Sequence, residues 1–285
     1  VRIPFRLVDV FTDRLFAGNQ LCVIPEPGDL SDGVMHAIAR EIGFSETTFV
    51  TWLEPERYGL RIFMPTGELP FAGHPTLGTA FVLVSEGVVR SPLTQVVAAG
   101  DIPVEVDVDA ERARMRQLTP SFHAPFEDRE LAAGAVGLSR DDLDPGLPVQ
   151  IVSTGNPQII VPLRDLAAVS RARPDHPRIG AMIERYGSDS IYLFHAEGGH
   201  ARARLFMPTP LWPEDAATGS AAGPLGAYLA EHARLEPGRL TVSQGVEMGR
   251  TSTIVVDVSG SPGEWTIHVS GGVRILGRGE FDLPD

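Results

Sequence analysis

The 285-residue sequence contains no lysine; every basic side chain other than histidine is an arginine. That excludes a Schiff base to pyridoxal phosphate, class I aldolase chemistry and the lysine of a phosphate-binding loop. There is one cysteine, Cys22. An intrachain disulfide, a cysteine-rich zinc or iron–sulfur site and a two-thiol acid/base pair are therefore excluded as well. Cys22 lies in the apolar stretch Leu21-Cys22-Val23-Ile24 and reads as an inert core thiol. No apolar run approaches the ~18 residues of a membrane span. The opening VRIPFRLVDVF reads as a strand, not as a charged-then-apolar signal peptide, so a cytoplasmic location is expected. Positive charge is scarce: 24 Arg against 37 Asp and Glu leave a formal net charge of −13, which argues against nucleic acid as a partner. It leaves room for an anionic small ligand, because screening within ~8 Å at physiological salt lets local groups decide.

The sequence is written twice. With 43% hydrophobic and 21% charged residues it is a globular composition, long enough for one large domain or two ordinary ones. Arg61-Ile62-Phe63-Met64-Pro65-Thr66 is matched by Arg204-Leu205-Phe206-Met207-Pro208-Thr209. Fifteen positions before each Arg stands an acid, Glu46 in Ser45-Glu46-Thr47 and Asp189 in Ser188-Asp189-Ser190. Gly18-Asn19 is answered by Gly155-Asn156. Before each acid, apolar residues at i, i+3, i+4 and i+7 predict an amphipathic helix: Met35, Ile38, Ala39 and Ile42 before Gly43, and Ile179, Met182, Ile183 and Tyr186 before Gly187. A second, mostly apolar helix follows in each half, opening at Gly73-His74-Pro75 and at Gly219-Ser220. The rest is rich in alternating and β-branched residues, as over 104–108, 252–258 and 265–269. The fold class is α+β: two pseudo-symmetric domains, each a curled sheet around its apolar helix, with a linker near 120–125.

The paired helix starts are the candidate site. Pro75 suits the first helical position, which predicts His74 as N-cap, with Ser220 in the matching place. Helix N-termini present unpaired N–H groups and a positive dipole end, worth roughly 0.3–1 kcal/mol toward a nearby anion. A pseudo-twofold axis would bring both to one cleft and bind a carboxylate without lysine. Taken singly, Ser220 is ordinary capping, Glu46 a solvated charge and Asp215 a complement to a helix dipole. Together, in matching places of two copies, they point to a site.

At these residues the sequence resembles the PhzF family, phenazine-biosynthesis isomerases of the diaminopimelate epimerase-like fold. The resemblance runs through Asp9-Val10-Phe11, Gly18-Asn19, Ser45-Glu46-Thr47, Glu68-Leu69-Pro70-Phe71-Ala72-Gly73-His74-Pro75-Thr76, Gly155-Asn156-Pro157, Glu214-Asp215-Ala216-Ala217-Thr218-Gly219-Ser220-Ala221-Ala222, Ser243-Gln244-Gly245 and Met248-Gly249-Arg250. It implies two barrel-like sheets, each wrapped round a central helix. One half would be residues 1–120 plus a return strand at about 278–285, the other 121–277. It further implies a homodimer with no cofactor and no metal, acting on a small-molecule carboxylate. Glu46 matches the proton-shuttling acid. His74 and Asp215 complete the catalytic set, and Ser220, Gly73, Gly219 and Asn19 the substrate-binding set. In the racemases of that fold two cysteines stand just before the two Gly positions; here those places hold Ala72 and Thr218. Gln20 and Ala216 stand where the family usually has proline.

The reaction so implied is isomerisation of a molecule such as trans-2,3-dihydro-3-hydroxyanthranilate, a proton leaving one ring carbon and returning at another. His74 either relays a proton or hydrogen-bonds the substrate. The alternatives are an epimerase or racemase of another small carboxylic or amino acid, and a non-catalytic binding protein on the same scaffold. A metal hydrolase fits poorly: no His-x-x-x-His pair exists, and His195 and His200 flank Gly198-Gly199, which reads as a hairpin turn.

Overall fold

The fold was obtained as a computed structural model that describes residues 1–26, 28 and 30–283. Contacts divide the chain into two units, one formed by Val1–Arg116 with the stretch from Ser270 on, the other by Gln117–Val269. The chain thus re-enters the first unit at Ser270 rather than at 278, and Pro284 and Asp285 of the expected return strand lie outside the described residues.

In the first unit, β1 (Arg2–Val10) and β2 (Asn19–Ile24) form an antiparallel pair, and α1 (Asp32–Ile42) crosses to β3 (Glu46–Glu54), which lies parallel to β2. Helix α1 follows its sequence pattern. Ser31 accepts the Val34 amide at the N-cap, and Gly43 ends it at φ 68°, the left-handed turn that glycine takes without penalty. It buries Met35, Ile38 and Ala39 against Cys22, Ile24, Phe49 and Phe63. Strand β4 (Arg57–Met64) turns back on β3, and the short β5 (Gly67–Leu69) pairs with the end of β4.

Next comes the central helix, α2 (Gly73–Ser85), buried on every side from Gly73 to Leu83 and carrying no charged residue. Such a helix has no polar face to turn to water and is stable only when enclosed. It is enclosed by β1, β2, β3, β7 (Gly100–Asp107) and β8 (Arg112–Arg116), with β6 (Leu93–Val97) linking β4 to β7. At Gly78 the approach is so close that a Cβ would stand 2.6 Å from Leu21 and 2.9 Å from Val10.

The second unit repeats this order. The short β9 (Ser121–Phe122) pairs with β10 (Gln150–Ser153), after a small helix α3 (Arg129–Ala135), and β10 pairs antiparallel with β11 (Pro157–Pro162). After a short α4 (Leu166–Arg171), α5 (His176–Tyr186), ended by Gly187 at φ 68°, leads to β12 (Ser190–Glu197), parallel to β11. Then come β13 (His200–Phe206), the two-residue β14 (Glu214–Asp215), the central helix α6 (Gly219–Glu231), β15 (Gly238–Gln244) and β16 (Ser252–Ser261). Gly198 and Gly199, at φ 58° and 77°, form the hairpin between β12 and β13. Parallel and antiparallel pairings fall in the same order in both units.

The last strand, β17 (Glu264–Asp282), begins in the second unit. Within the first unit it pairs with β8 and runs antiparallel to β1, Arg2 opposite Asp282 and Val10 opposite Val273. This closes a ring of eight strands, β1-β2-β3-β4-β6-β7-β8-β17, around α2. Closure leaves no unpaired edge and excludes water from the helix.

Candidate active site

Strand alternation delivers Glu46 to the start of α2. Thr47 and Phe49 point to the α1 side, where Phe49 packs in the core beneath that helix. Glu46 and Thr48 point the other way, and Thr48 Oγ1 lies 2.9 Å from Thr79 Oγ1 on α2. His74 meets Glu46 there, its Nε2 3.2 Å from Glu46 Oε2. The other ring nitrogen, Nδ1, is 3.1 Å from Asn19 Nδ2. Ser45 Oγ donates to Asn19 Oδ1 at 3.3 Å. His74 and Asn19 are buried, and the Glu46 side chain is 14% exposed. Burial disfavours the carboxylate and pushes the Glu46 pKa up to about 7, the Ser45 hydroxyl pulling the other way. A carboxyl titrating there accepts and donates a proton with equal ease near neutral pH.

The helix start differs from the sequence expectation. The N-caps are Ala72 and Thr218, not His74 and Ser220, so His74 and Ser220 are each the second helical residue. Proline is tolerated at the third position of α2 for the reason it is favoured at the first: the opening N–H groups of a helix have no intrahelical partner to lose. Neither Ala72 nor Thr218 makes a side-chain cap bond to its helix. The two places that hold cysteine in racemases of the resembled fold are thus the N-caps of the two central helices. Cys22 is buried in the sheet with its thiol pushed up to about 12 by desolvation, as an inert core residue should be.

The expected pairing of Glu46 with Asp189 also fails on register. Phe63 stands opposite Thr47, and its counterpart Phe206 stands opposite Ile191. The structural equivalent of Glu46 is therefore Ser190. A bulge between Val50 and Trp52 adds one residue to the first hairpin and shifts the count. Ser190 is buried and donates to Gln158. The acid exists in one copy only.

In the second unit, Asp215 sits on β14. Its Oδ2 accepts from Thr218 Oγ1 at 2.5 Å, and its carbonyl accepts from Gln244 Nε2 at 2.9 Å. Gln244, fully buried, also donates to Thr218 Oγ1 and accepts from the Thr218 amide and the Tyr192 hydroxyl. Ser220 is buried beside Gly219, whose carbonyl accepts from Gln117 Nε2 at 2.9 Å. The first unit meets the same need with other residues. Tyr58 donates to Gln95, and Gln95 to Thr76 in the first turn of α2. Buried glutamines thus anchor both helix starts. Gln95 and Gln117 carry no signal in the sequence, and Gln244 only its place in Ser243-Gln244-Gly245.

The repeated Arg-x-Phe motif is structural. Arg204 forks onto Glu214 at 2.8 and 2.7 Å and stacks over Phe206, while Arg61 forks onto Glu68 at 2.7 and 2.6 Å and stacks over Phe63. In each unit the fork fixes the short strand that leads into the central helix.

With this geometry established, comparison with known proteins is decisive. The family model described as phenazine biosynthesis-like protein matches residues 8–278. The chain belongs to that family. It is 37% identical to the trans-2,3-dihydro-3-hydroxyanthranilate isomerase of Pseudomonas chlororaphis, over 97% of this chain and 98% of that protein. Among solved structures it is similar to a predicted epimerase from Pseudomonas aeruginosa, with a TM-score of 0.88 at 30% identity over 99% and 100% of the two chains. It is similar to the same degree, 0.88 at 28% identity and the same coverage, to a Bacillus anthracis phenazine biosynthesis protein of the PhzF family. Among the described residues of this family member, no helix is long and apolar enough to cross a membrane, and no three His, Cys, Asp or Glu side chains cluster as a metal site would need.

Proposed function

We propose that the chain is an isomerase that needs no cofactor and shifts a proton between two carbons of a small cyclic carboxylate, of the class that trans-2,3-dihydro-3-hydroxyanthranilate represents. The observation that carries this reading is the buried Glu46 carboxyl 3.2 Å from a histidine in the first turn of a helix, where burial pushes its pKa up to about 7. The Glu46 carboxylate takes a proton from one carbon, and the C–H electrons enter the conjugated system. The resulting acid returns a proton to a second carbon on the same face, and the double bonds settle between them. Composition and oxidation level are unchanged, so the step calls for no electron or group carrier.

In this reading the amide of Gly73, at the helix start beside Glu46 and His74, binds the substrate carboxylate, using helix-end partial charge in place of a cationic side chain. General acid–base transfer contributes about 10²–10⁴ in rate, and positioning with fixed dipoles supplies the remainder. Inversion by two thiols is ruled out by the single buried cysteine.

The test is incubation with trans-2,3-dihydro-3-hydroxyanthranilate in D2O, followed by NMR and mass spectrometry. The reading expects a product of equal composition with its double bonds moved and the mobile hydrogen at the new carbon, partly exchanged for deuterium. Exchange at one carbon with inversion and no bond shift would make the protein an epimerase. No exchange across a panel of cyclic carboxylates would make it a binding protein.

A further inference from the structure

The geometry points to Asn19 as a positioning residue that fixes His74 in its Nε2–H tautomer, so that the ring turns an N–H, and no basic nitrogen, to the side of Glu46. This rests on the proposed acid/base role of Glu46 and goes beyond it, because it decides between the two roles open to His74.

The contact between Asn19 and His74 has a polarity. An amide nitrogen offers only hydrogens, so the ring nitrogen 3.1 Å from Asn19 Nδ2 must offer its lone pair. In a neutral imidazole the proton is then on Nε2, the atom 3.2 Å from Glu46 Oε2. A doubly protonated ring would set Nδ1–H against the amide hydrogens, so His74 stays neutral while this contact holds. In this arrangement the Ser45 hydroxyl lies 3.3 Å from Oδ1, on the side of the carboxamide away from the ring. Turned over, the carboxamide would place oxygen against Nδ1, pull the ring proton there and aim a lone pair at Glu46.

The backbone puts Asn19 at this place. It opens β2 opposite Val10, immediately after Gly18 at φ 71°. A Cβ on Gly18 would stand 2.3 Å from the Val10 carbonyl oxygen, so only glycine brings the chain in so tightly. Asn19 is thus turned to His74 and Ser45 in the interior of the first unit. The chemical consequence is that the ring nitrogen facing Glu46, 3.2 Å from its Oε2, already carries a proton and cannot take one from the carboxyl. Both transfers pass through a single carboxyl, which is what moving one proton between two carbons of one face requires.

The test reads the tautomer directly. In 15N-labelled protein, two-bond 1H–15N spectra at pH 8 distinguish Nε2–H, Nδ1–H and doubly protonated rings, and His74 is assigned by its loss in His74→Gln. The wild type is expected to show Nε2–H. Asn19→Asp, which puts an acceptor against Nδ1, is expected to move the proton to Nδ1 or protonate both nitrogens. It should also lower kcat about 10²-fold with KM within about threefold, as loss of an outer-sphere partner of a working histidine does. Ser45→Ala, which leaves the ring contact in place, is expected to give a mixture of tautomers and a smaller loss. A wild-type ring protonated at Nδ1 overturns the inference, as does an Asn19→Asp spectrum identical to wild type. Should Asn19→Asp fail to fold, the wild-type and Ser45→Ala spectra decide alone. The tautomer is read without substrate. A wild-type Nε2–H ring in a protein whose Glu46→Gln variant keeps its rate would sink the acid/base reading and leave the Asn19 assignment standing.

Discussion

Glu46→Gln is expected to lower kcat by about 10²–10⁴-fold, the full contribution of a positioned acid/base, while substrate affinity stays within about tenfold. Glutamine keeps the shape and can still sit beside His74 Nε2, but it cannot take a proton from carbon. In the wild type the rate should rise with pH through about 7 as the carboxyl ionises, then level off. The same group leaves a mark on stability, with a definite sign. Its pKa is raised from 4.5 in the unfolded chain to about 7 in the folded one, so the folded protein holds the proton more tightly. The stabilisation from that tighter hold is complete below pH 4.5 and is lost as pH rises through 7. Glu46→Gln should therefore be more stable than wild type at pH 8 and lose that advantage at pH 4. An inactive variant that is also the more stable one would identify a residue held for chemistry at a cost to folding.

The second large effect comes from the repeated arginine fork, because burial separates its two copies. The Arg204 and Glu214 side chains are 5% and 10% exposed, and Arg204 also donates to the carbonyls of Val169 and Ala172. Arg204→Met strands a buried carboxylate and two carbonyls, and removing one partner of such a pair costs about 3–5 kcal/mol. Arg61 is 28% exposed, its partners Glu68 and Asp32 more so, and water can take over its bonds. Arg61→Met should cost about 1 kcal/mol or less. Urea denaturation of both variants measures the difference. Equal losses would mean that burial does not govern the fork. Glu214 directly precedes Asp215, so Arg204→Met should also lower activity in whatever protein remains folded, and Arg61→Met much less.

Local elements were legible in the sequence because one face or one dihedral decides them. The spacing of Met35, Ile38, Ala39 and Ile42 marked α1, and Gly43 its end, since both follow from a period of 3.6 and a left-handed φ. Closure of the barrel rests instead on partners as distant as Arg2 and Asp282, and no local pattern encodes that register. It came from the family resemblance. One extra residue at the Val50–Trp52 bulge was enough to align Glu46 with Asp189 by counting, whereas hydrogen bonding aligns it with Ser190. The helix starts were found but misplaced by two residues, because proline fits the third position as well as the first.

Of the site, His74 could be singled out because it is an unusual residue at a repeated helix start, and Glu46 by the family resemblance, the count that paired it with Asp189 being off by one residue; the fold brings the two to 3.2 Å. The supporting residues could not. Glutamine belongs on surfaces by composition, and only tertiary structure turns Gln95, Gln117 and Gln244 into buried anchors. The Asn19 side chain meets Ser45 and His74, residues far apart in sequence, so no local motif shows that it faces the histidine.

The central claim is that burial beside His74 turns Glu46 into an acid/base poised at neutral pH. Titration of its side-chain carboxyl carbon by 13C NMR, assigned through Glu46→Gln, tests this most directly. A midpoint near 7 is predicted. A midpoint at or below the ordinary carboxyl value of about 4.3 would contradict it.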